Sequence, residues 1–113
     1  MFDWYTEYLS DCDDVSIPKI QPHTDPAWFV YVIRVFNNKR DSLLHALNAK
    51  NIQVKQYFPA IHKQPFIQET LHKKIFDLPM TETIASETLA LPFYIGLTKK
   101  DIRYITDQIK SNV

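Results

Sequence analysis

The spacing of apolar residues changes along the chain, and each change marks an element. Phe2, Tyr5 and Leu9 recur at helical spacing with Tyr8 beside them, which predicts a helix over residues 1–9. No capping residue precedes it, so the pattern resembles the end of a longer helix. The like charges of Asp11, Asp13 and Asp14 stop it, and Pro18, Pro22 and Pro26 predict an extended connector over residues 17–26. Residues 28–36, WFVYVIRVF, are β-branched or aromatic on both alternating faces, with Arg34 the lone charge. That is the pattern of a central strand covered on both sides. Asn37 and Asn38 supply turn and cap side chains for a helix over residues 40–50, whose Leu43, Leu44 and Leu47 share a face with Ala46 alongside. Asn51 stands where that helix needs a left-handed residue.

Residues 52–57 alternate Ile52 and Val54 against Gln53 and Lys55, a half-exposed strand. A proline-containing loop is expected over 58–65, short helices over 68–76 and 81–87 (the second capped by Thr81), and a strand over 88–92. Thr98 opens a last helix to about residue 110. Asp101 makes a capping box with it, Leu97 can staple onto Ile102, and Ile102, Ile105 and Ile109 form the buried stripe. This order predicts an α+β fold: a two-layer small domain with a three-stranded, mainly antiparallel sheet and helices packed on one face.

Composition narrows what such a domain can do. Its 113 residues, 45% hydrophobic and 13% aromatic, suffice for a real core. Thirteen basic side chains cancel thirteen acidic ones, so neither nucleic acid nor a membrane surface is expected as a partner. No apolar run approaches the ~20 residues of a membrane span, and Asp3 and Glu7 stand where a secretory leader would be basic and then apolar. A cytoplasmic location is the expectation. One cysteine excludes an internal disulfide, and the single Gly96 excludes a glycine-rich phosphate cradle.

The chemistry-bearing side chains are sparse. His23, His45, His62 and His72 lack chelating spacing, and Cys12 is the one thiol, so no metal is expected. Asp11 and Asp13 flank Cys12, and their charge raises a thiol pKa and suppresses the nucleophilic thiolate. No Gly-x-Ser-x-Gly elbow exists. The aromatics of residues 28–36 are expected in the core, because the basic, glycine-containing strand of an RNA-stacking sheet is absent. The segment that stands out is YFPAIHKQPF, residues 57–66. One account makes it a proline-stiffened surface loop whose apolar residues tuck beneath it. The other makes it a preorganised binding loop, stiff and apolar, with His62 as its polar tip.

At this segment the chain resembles the C-terminal small domain of the DegT/DnrJ/StrS family, the pyridoxal-phosphate-dependent sugar aminotransferases. The runs that carry the resemblance are WFVYVIRV from Trp28, RDSLL from Arg40, IQVKQYFPAIHKQPF from Ile52, and LPMTETIA from Leu78 continuing through LALP to Gly96-Leu97-Thr98. The Tyr-Phe-Pro-x-x-His run is the most specific. Asn51 departs from the glycine usual there but keeps the left-handed cap.

The resemblance implies residues 1–27 as the end of an interdomain helix plus connector, and residues 28–113 as the small domain. It implies an enzyme that moves an amino group from an amino acid, usually glutamate, to a nucleotide-linked keto-deoxysugar. Pyridoxal phosphate would sit on a lysine of a large domain that this chain lacks, in a homodimer with composite sites. By position, His62 would help bind an anionic group such as the donor's carboxylate, and Tyr57, Phe58 and Pro59 would shape the wall. No Schiff-base lysine, phosphate-gripping residues or ring-nitrogen Asp have a match here, so no catalytic residue and no bound cofactor are expected of this chain alone. Three readings stay open: a fragment of such an aminotransferase, inactive by itself; a stand-alone non-catalytic module of the same fold that binds a partner or ligand; and an unrelated two-layer domain with a ligand-binding loop.

Overall fold

The computed structural model describes residues 1–71 and 76–113. The chain runs through α1 (Phe2–Leu9), β1 (Val15–Ser16), β2 (Tyr31–Val35), α2 (Arg40–Ala49), β3 (Lys55–Gln56), a 3₁₀ turn (Ile61–Lys63), α3 (Pro65–Thr70), α4 (Pro79–Glu87), β4 (Thr88–Leu91) and α5 (Lys99–Lys110). The fold is α+β, as expected, but the sheet has four strands rather than three, in the order β1-β2-β4-β3 and antiparallel throughout. The extra strand is β1, which pairs Val15 with Val35 and Ser16 with Arg34. Two residues offer no alternation to detect, so the ladder shows only when the partner is in place.

One face of the sheet carries the core. Tyr31, Ile33 and Val35 of β2 and Leu89 and Leu91 of β4 lie in one buried cluster with Tyr5 and Leu9 of α1, Leu43 and Leu47 of α2, and Ile102, Ile105 and Ile109 of α5. The phenol of Tyr5, whose pKa burial pushes well up, donates to the Pro92 carbonyl at 2.8 Å and ties α1 to the end of β4. Central as β2 is, its other face is only half-buried, at Val32 and Arg34. The strand therefore has one covered face, not two.

The differences from the expected boundaries have local causes. The strand over 28–36 shortens to Tyr31–Val35 because its partner β4 ends at Leu91, and Pro92 has no N–H to extend the ladder. Trp28 stacks on Phe2 with ring centroids 4.1 Å apart, whereas Phe29 is 78% exposed and no part of the core. Residues 52–57 bury Ile52 and Val54 in alternation, yet only Lys55 and Gln56 pair. The earlier backbone groups serve the helix stop instead: the Ile52 amide donates to the Leu47 carbonyl at 3.0 Å, and the Val54 amide to Asn48 Oδ1 at 3.4 Å. Asn51 takes the left-handed conformation, φ 60°.

Helices α3 and α4 both begin on a proline, where the missing N–H costs no bond. They start earlier than the polar pattern suggests, and Thr81 caps nothing. The remainder of the helix expected to residue 76 includes positions 72–75, outside the described residues. In α5 the capping box is complete: Thr98 Oγ1 accepts from the Asp101 amide at 3.2 Å, and Asp101 Oδ2 accepts from the Thr98 amide at 2.9 Å. Among the described residues, no helix is long and apolar enough to cross a membrane.

Candidate functional site

The site grows from the end of β3. Thr88, buried at the start of β4, donates its hydroxyl to the Tyr57 carbonyl at 3.1 Å and fixes where the chain leaves the sheet. Phe58 then adopts φ 53°, a left-handed conformation costly for a bulky side chain and doubly so before proline. Strain of about 1–3 kcal/mol persists only where the surroundings hold it, which occurs often at ligand-binding segments. The kink turns the Phe58 ring outward, 69% exposed and tilted against Tyr57 at 4.5 Å between centroids. Pro59 and Ala60 lead into the 3₁₀ turn that carries His62.

His62 is the point where sequence and structure differ most instructively. A polar tip of a loop would be solvated, but His62 is 9% exposed. Its Nε2 lies 3.0 Å from Glu82 Oε1, and Lys63 Nζ lies 2.6 Å from Glu82 Oε2. Gln68 donates from its amide nitrogen to the His62 carbonyl, which locks the turn onto α3. The Phe76 ring meets the imidazole edge-on, centroids 6.2 Å apart. The Glu82 carboxyl is held below the usual carboxylate range, first by the hydrogen bond from Lys63 and then by that from His62. An ionised carboxylate only accepts, so His62 Nε2 carries a proton.

These elements border an open cavity of about 620 Å³ between the 3₁₀ turn and α3 on one side and α4 on the other. Tyr57, Phe58, Pro59 and His62 all line it, together with apolar residues such as Ile67, Leu78 and Ile84. Among the described lining residues His62 alone can become a cation. The loop therefore neither tucks its apolar residues away nor projects a free histidine; it forms one wall of a mostly apolar pocket. A second cavity, about 660 Å³, lies between the end of α2 and the start of α5 and contains none of these four residues. Three of its polar side chains are engaged within the fold: Asp101 by the helix cap, Lys50 by Gln108, and Asn48 by the Val54 amide.

A family model, that of the DegT/DnrJ/EryC1/StrS aminotransferase family, matches residues 1–110. The chain belongs to this family. It is 27% identical over 108 residues to the erythromycin biosynthesis sensory transduction protein EryC1 of Saccharopolyspora erythraea, covering 95% of this chain and 29% of that protein. It is 25% identical over 107 residues to the dTDP-4-dehydro-2,6-dideoxy-D-glucose 3-dehydratase of Saccharopolyspora spinosa, covering 91% of this chain and 23% of that one. A solved DegT DnrJ EryC1 StrS aminotransferase from Brucella abortus, 28% identical, superposes with a TM-score of 0.79 over 97% of this chain and 28% of its own. The chain thus spans under a third of the length of the family members it matches.

The described side chains do not fit the family's pyridoxal phosphate. A Schiff-base lysine needs a sheltered, uncommitted amine; among the described lysines, Lys39, Lys50, Lys63, Lys99 and Lys110 are bound to Asp14, Gln108, Glu82, Glu7 and Asp11, and Lys19, Lys55 and Lys100 are exposed. The described lining of the His62 cavity contains neither a lysine nor a glycine to cradle a phosphate. Among the described residues no cluster of His, Cys, Asp and Glu is placed to hold a metal. Of the other histidines, His45 is exposed with its Nδ1 2.6 Å from the Asp41 carbonyl, His23 is exposed at φ 63°, and His72 lies outside the described residues. The Cys12 thiol is pushed up, as its acidic neighbours suggested, but burial contributes more than the charges of Asp14 and Asp11.

Sequence reasoning missed the groups that hold the site. Glu82 stands 20 residues from His62, and no spacing rule links a loop to a helix face at that distance. Arg40, which opens the helix expected over residues 40–50, is buried beneath the site. Its guanidinium donates to Asp41 at 2.6 Å and to the Thr88 and Ala85 carbonyls at 3.1 and 3.4 Å. A charged residue opening a predicted helix gives no sign that it will turn inward.

Proposed function

We propose that this chain is the small domain of an enzyme that transfers an amino group from an amino-acid donor, glutamate, to the keto group of a nucleotide-linked keto-deoxysugar. In this reading residues 1–27 complete an interdomain helix and its connector, and residues 28–113 form the domain that closes over the cleft. Pyridoxal phosphate belongs to the parts of the enzyme outside this chain and makes the amino group transferable there. The chain alone supplies no catalytic residue and no cofactor contact. The parent works in the cytoplasm as a homodimer, with a second subunit completing each site. His62 receives the donor's carboxylate while Tyr57, Phe58 and Pro59 exclude water from around it.

The observation that supports this reading is the convergence of those four side chains on one largely apolar cavity whose single cationisable described group is His62. A carboxylate entering such a cavity needs a positive or hydrogen-bonding partner, and a protonated imidazole provides both. The test supplies the full-length protein with ¹⁵N-glutamate and a nucleotide-linked 4-keto-deoxysugar, and looks for ¹⁵N in the sugar by mass spectrometry. Label in the product supports the transfer.

One observation favours a second reading: the relative from S. spinosa carries a dehydratase name. Loss of water from the sugar with no nitrogen gained would make dehydration the activity and remove the need for a donor carboxylate at His62.

A further inference from the structure

We infer that Glu82 is a positioning residue for His62: it holds the ring by Nε2 so that Nδ1 is the atom left to meet an anionic ligand. The inference rests on the reading of His62 as the donor-carboxylate contact and names how the ring is made ready for it.

The geometry divides the two ring nitrogens. Nε2 is committed to Glu82 Oε1 at 3.0 Å. Nδ1 has no hydrogen-bond partner among the described residues, although the residue is 9% exposed. Among the described residues no side-chain nitrogen or oxygen is both fully occluded and unpartnered. His62 lines the cavity and Glu82 does not; the carboxylate acts from behind the ring, on α4, while the ring faces the space. With Nε2–H donated to Glu82, a neutral His62 presents a lone pair at Nδ1 and repels a carboxylate. A protonated His62 presents Nδ1–H and binds one while keeping its bond to Glu82.

The described charges around the ring fit a single anion. Among the described residues, the groups that face His62 from its neighbours are Lys63 on its own turn, the neutral Gln68 on α3, and Glu82 on α4. Lys63 takes the second carboxylate oxygen, so Glu82 is balanced before His62 is counted. Protonating His62 then leaves the trio with one net positive charge, the complement of one carboxylate.

The experiment compares wild type with Glu82→Ala, Glu82→Gln and His62→Ala in the full-length protein. It reads the Michaelis constants for glutamate and keto sugar separately, the imidazole Nε2–H proton by NMR, and the melting temperature. Glu82→Ala is expected to raise the donor KM on the order of tenfold, with kcat and the sugar KM within about twofold, and to lose the exchange-protected N–H signal. Glu82→Gln still accepts from Nε2–H, so it is expected to keep the signal and fall between. If His62→Ala raises the donor KM while Glu82→Ala leaves it unchanged, the positioning role is overturned and the His62 reading stands. If both KM values rise together with a fallen melting temperature, Glu82 is a structural tie and the inference is wrong. An unchanged donor KM in His62→Ala overturns the reading beneath it, and the ligand-facing role of Nδ1 with it.

Discussion

The sheet body and the arm that carries His62 are held by different forces. In the body, Ile33, Leu43, Leu47, Leu89, Ile102 and Ile109 are wholly buried between three helices and the sheet. In the arm, neither α3 nor α4 buries a single residue, and Phe66 and Met80 are 73% and 70% exposed. Apolar burial organises the first. The second is pinned by directional contacts: Arg40 to the end of α4, Thr88 to Tyr57, Gln68 to the His62 carbonyl, and Glu82 to His62 and Lys63. The difference teaches that the body can be stable by itself while the arm keeps apolar side chains available for what it meets. Local opening free energies follow contact density, so the arm is the region expected to open first.

The sharpest contrast is between one core residue and one arm residue of similar apolar character. Ile33→Ala is expected to lower stability by about 2–5 kcal/mol in urea denaturation, because the well-packed strand cannot close over the cavity. Phe66→Ala is expected to change it by no more than about 0.5 kcal/mol. Similar losses from the two would erase the distinction between body and arm.

Arg40 joins the two regions, so its removal sharpens the comparison. Arg40→Met keeps the aliphatic stem and strands the Thr88 and Ala85 carbonyls, an expected cost of about 1–3 kcal/mol. Amide hydrogen exchange should quicken more across α4 and the His62 turn than across α5. An equal effect on both would show that Arg40 serves the body instead.

A smaller effect belongs to the cap of α5. Thr98→Ala is expected to lose about 1 kcal/mol in thermal or urea melts, since the Asp101 amide loses its acceptor. Acid acts on the same exposed network. Hydrogen bonds from Thr98 hold Asp101 below its ordinary value of 3.8, and those from Asn37 and Lys39 do the same for Asp14. Folded values below unfolded ones mean that the unfolded chain takes up protons first. The stability these groups contribute is fully present above pH 3.8 and is lost as pH falls through the folded values. Asp101→Asn should flatten that acid limb in a pH series of melts, modestly, because the group is exposed and screened. An unaltered limb would remove the cap from the account.

The same division explains what could be read from the chain. Periodicity found the body because burial there repeats: Leu43 and Leu47 recur on α2, and Ile102, Ile105 and Ile109 on α5. It missed β1, whose two residues carry no period, and it overran β2, whose start depends on Pro92 just past the end of β4. His62 was legible as the polar tip of a stiff, apolar loop, whereas the wall roles of Tyr57, Phe58 and Pro59 came from family likeness at the Tyr-Phe-Pro-x-x-His run. Their arrangement was not legible. Nothing in the order of residues places Glu82 behind His62 or turns Arg40 inward, because both contacts depend on where α4 lands after the chain has folded.

The central claim is that the arm exists to present His62 to a carboxylate. Half-reaction kinetics of His62→Ala with glutamate in the full-length protein, set beside the melting curve of the same variant, test it most directly. Losing a hydrogen bond to a charged group is worth about 1.5–3 kcal/mol, so the apparent donor KM is expected to rise roughly ten- to a hundredfold. The melting temperature should barely change, because the body that sets it does not use the arm. Unchanged donor kinetics with a lowered melting temperature would contradict the claim and make His62 part of the scaffold.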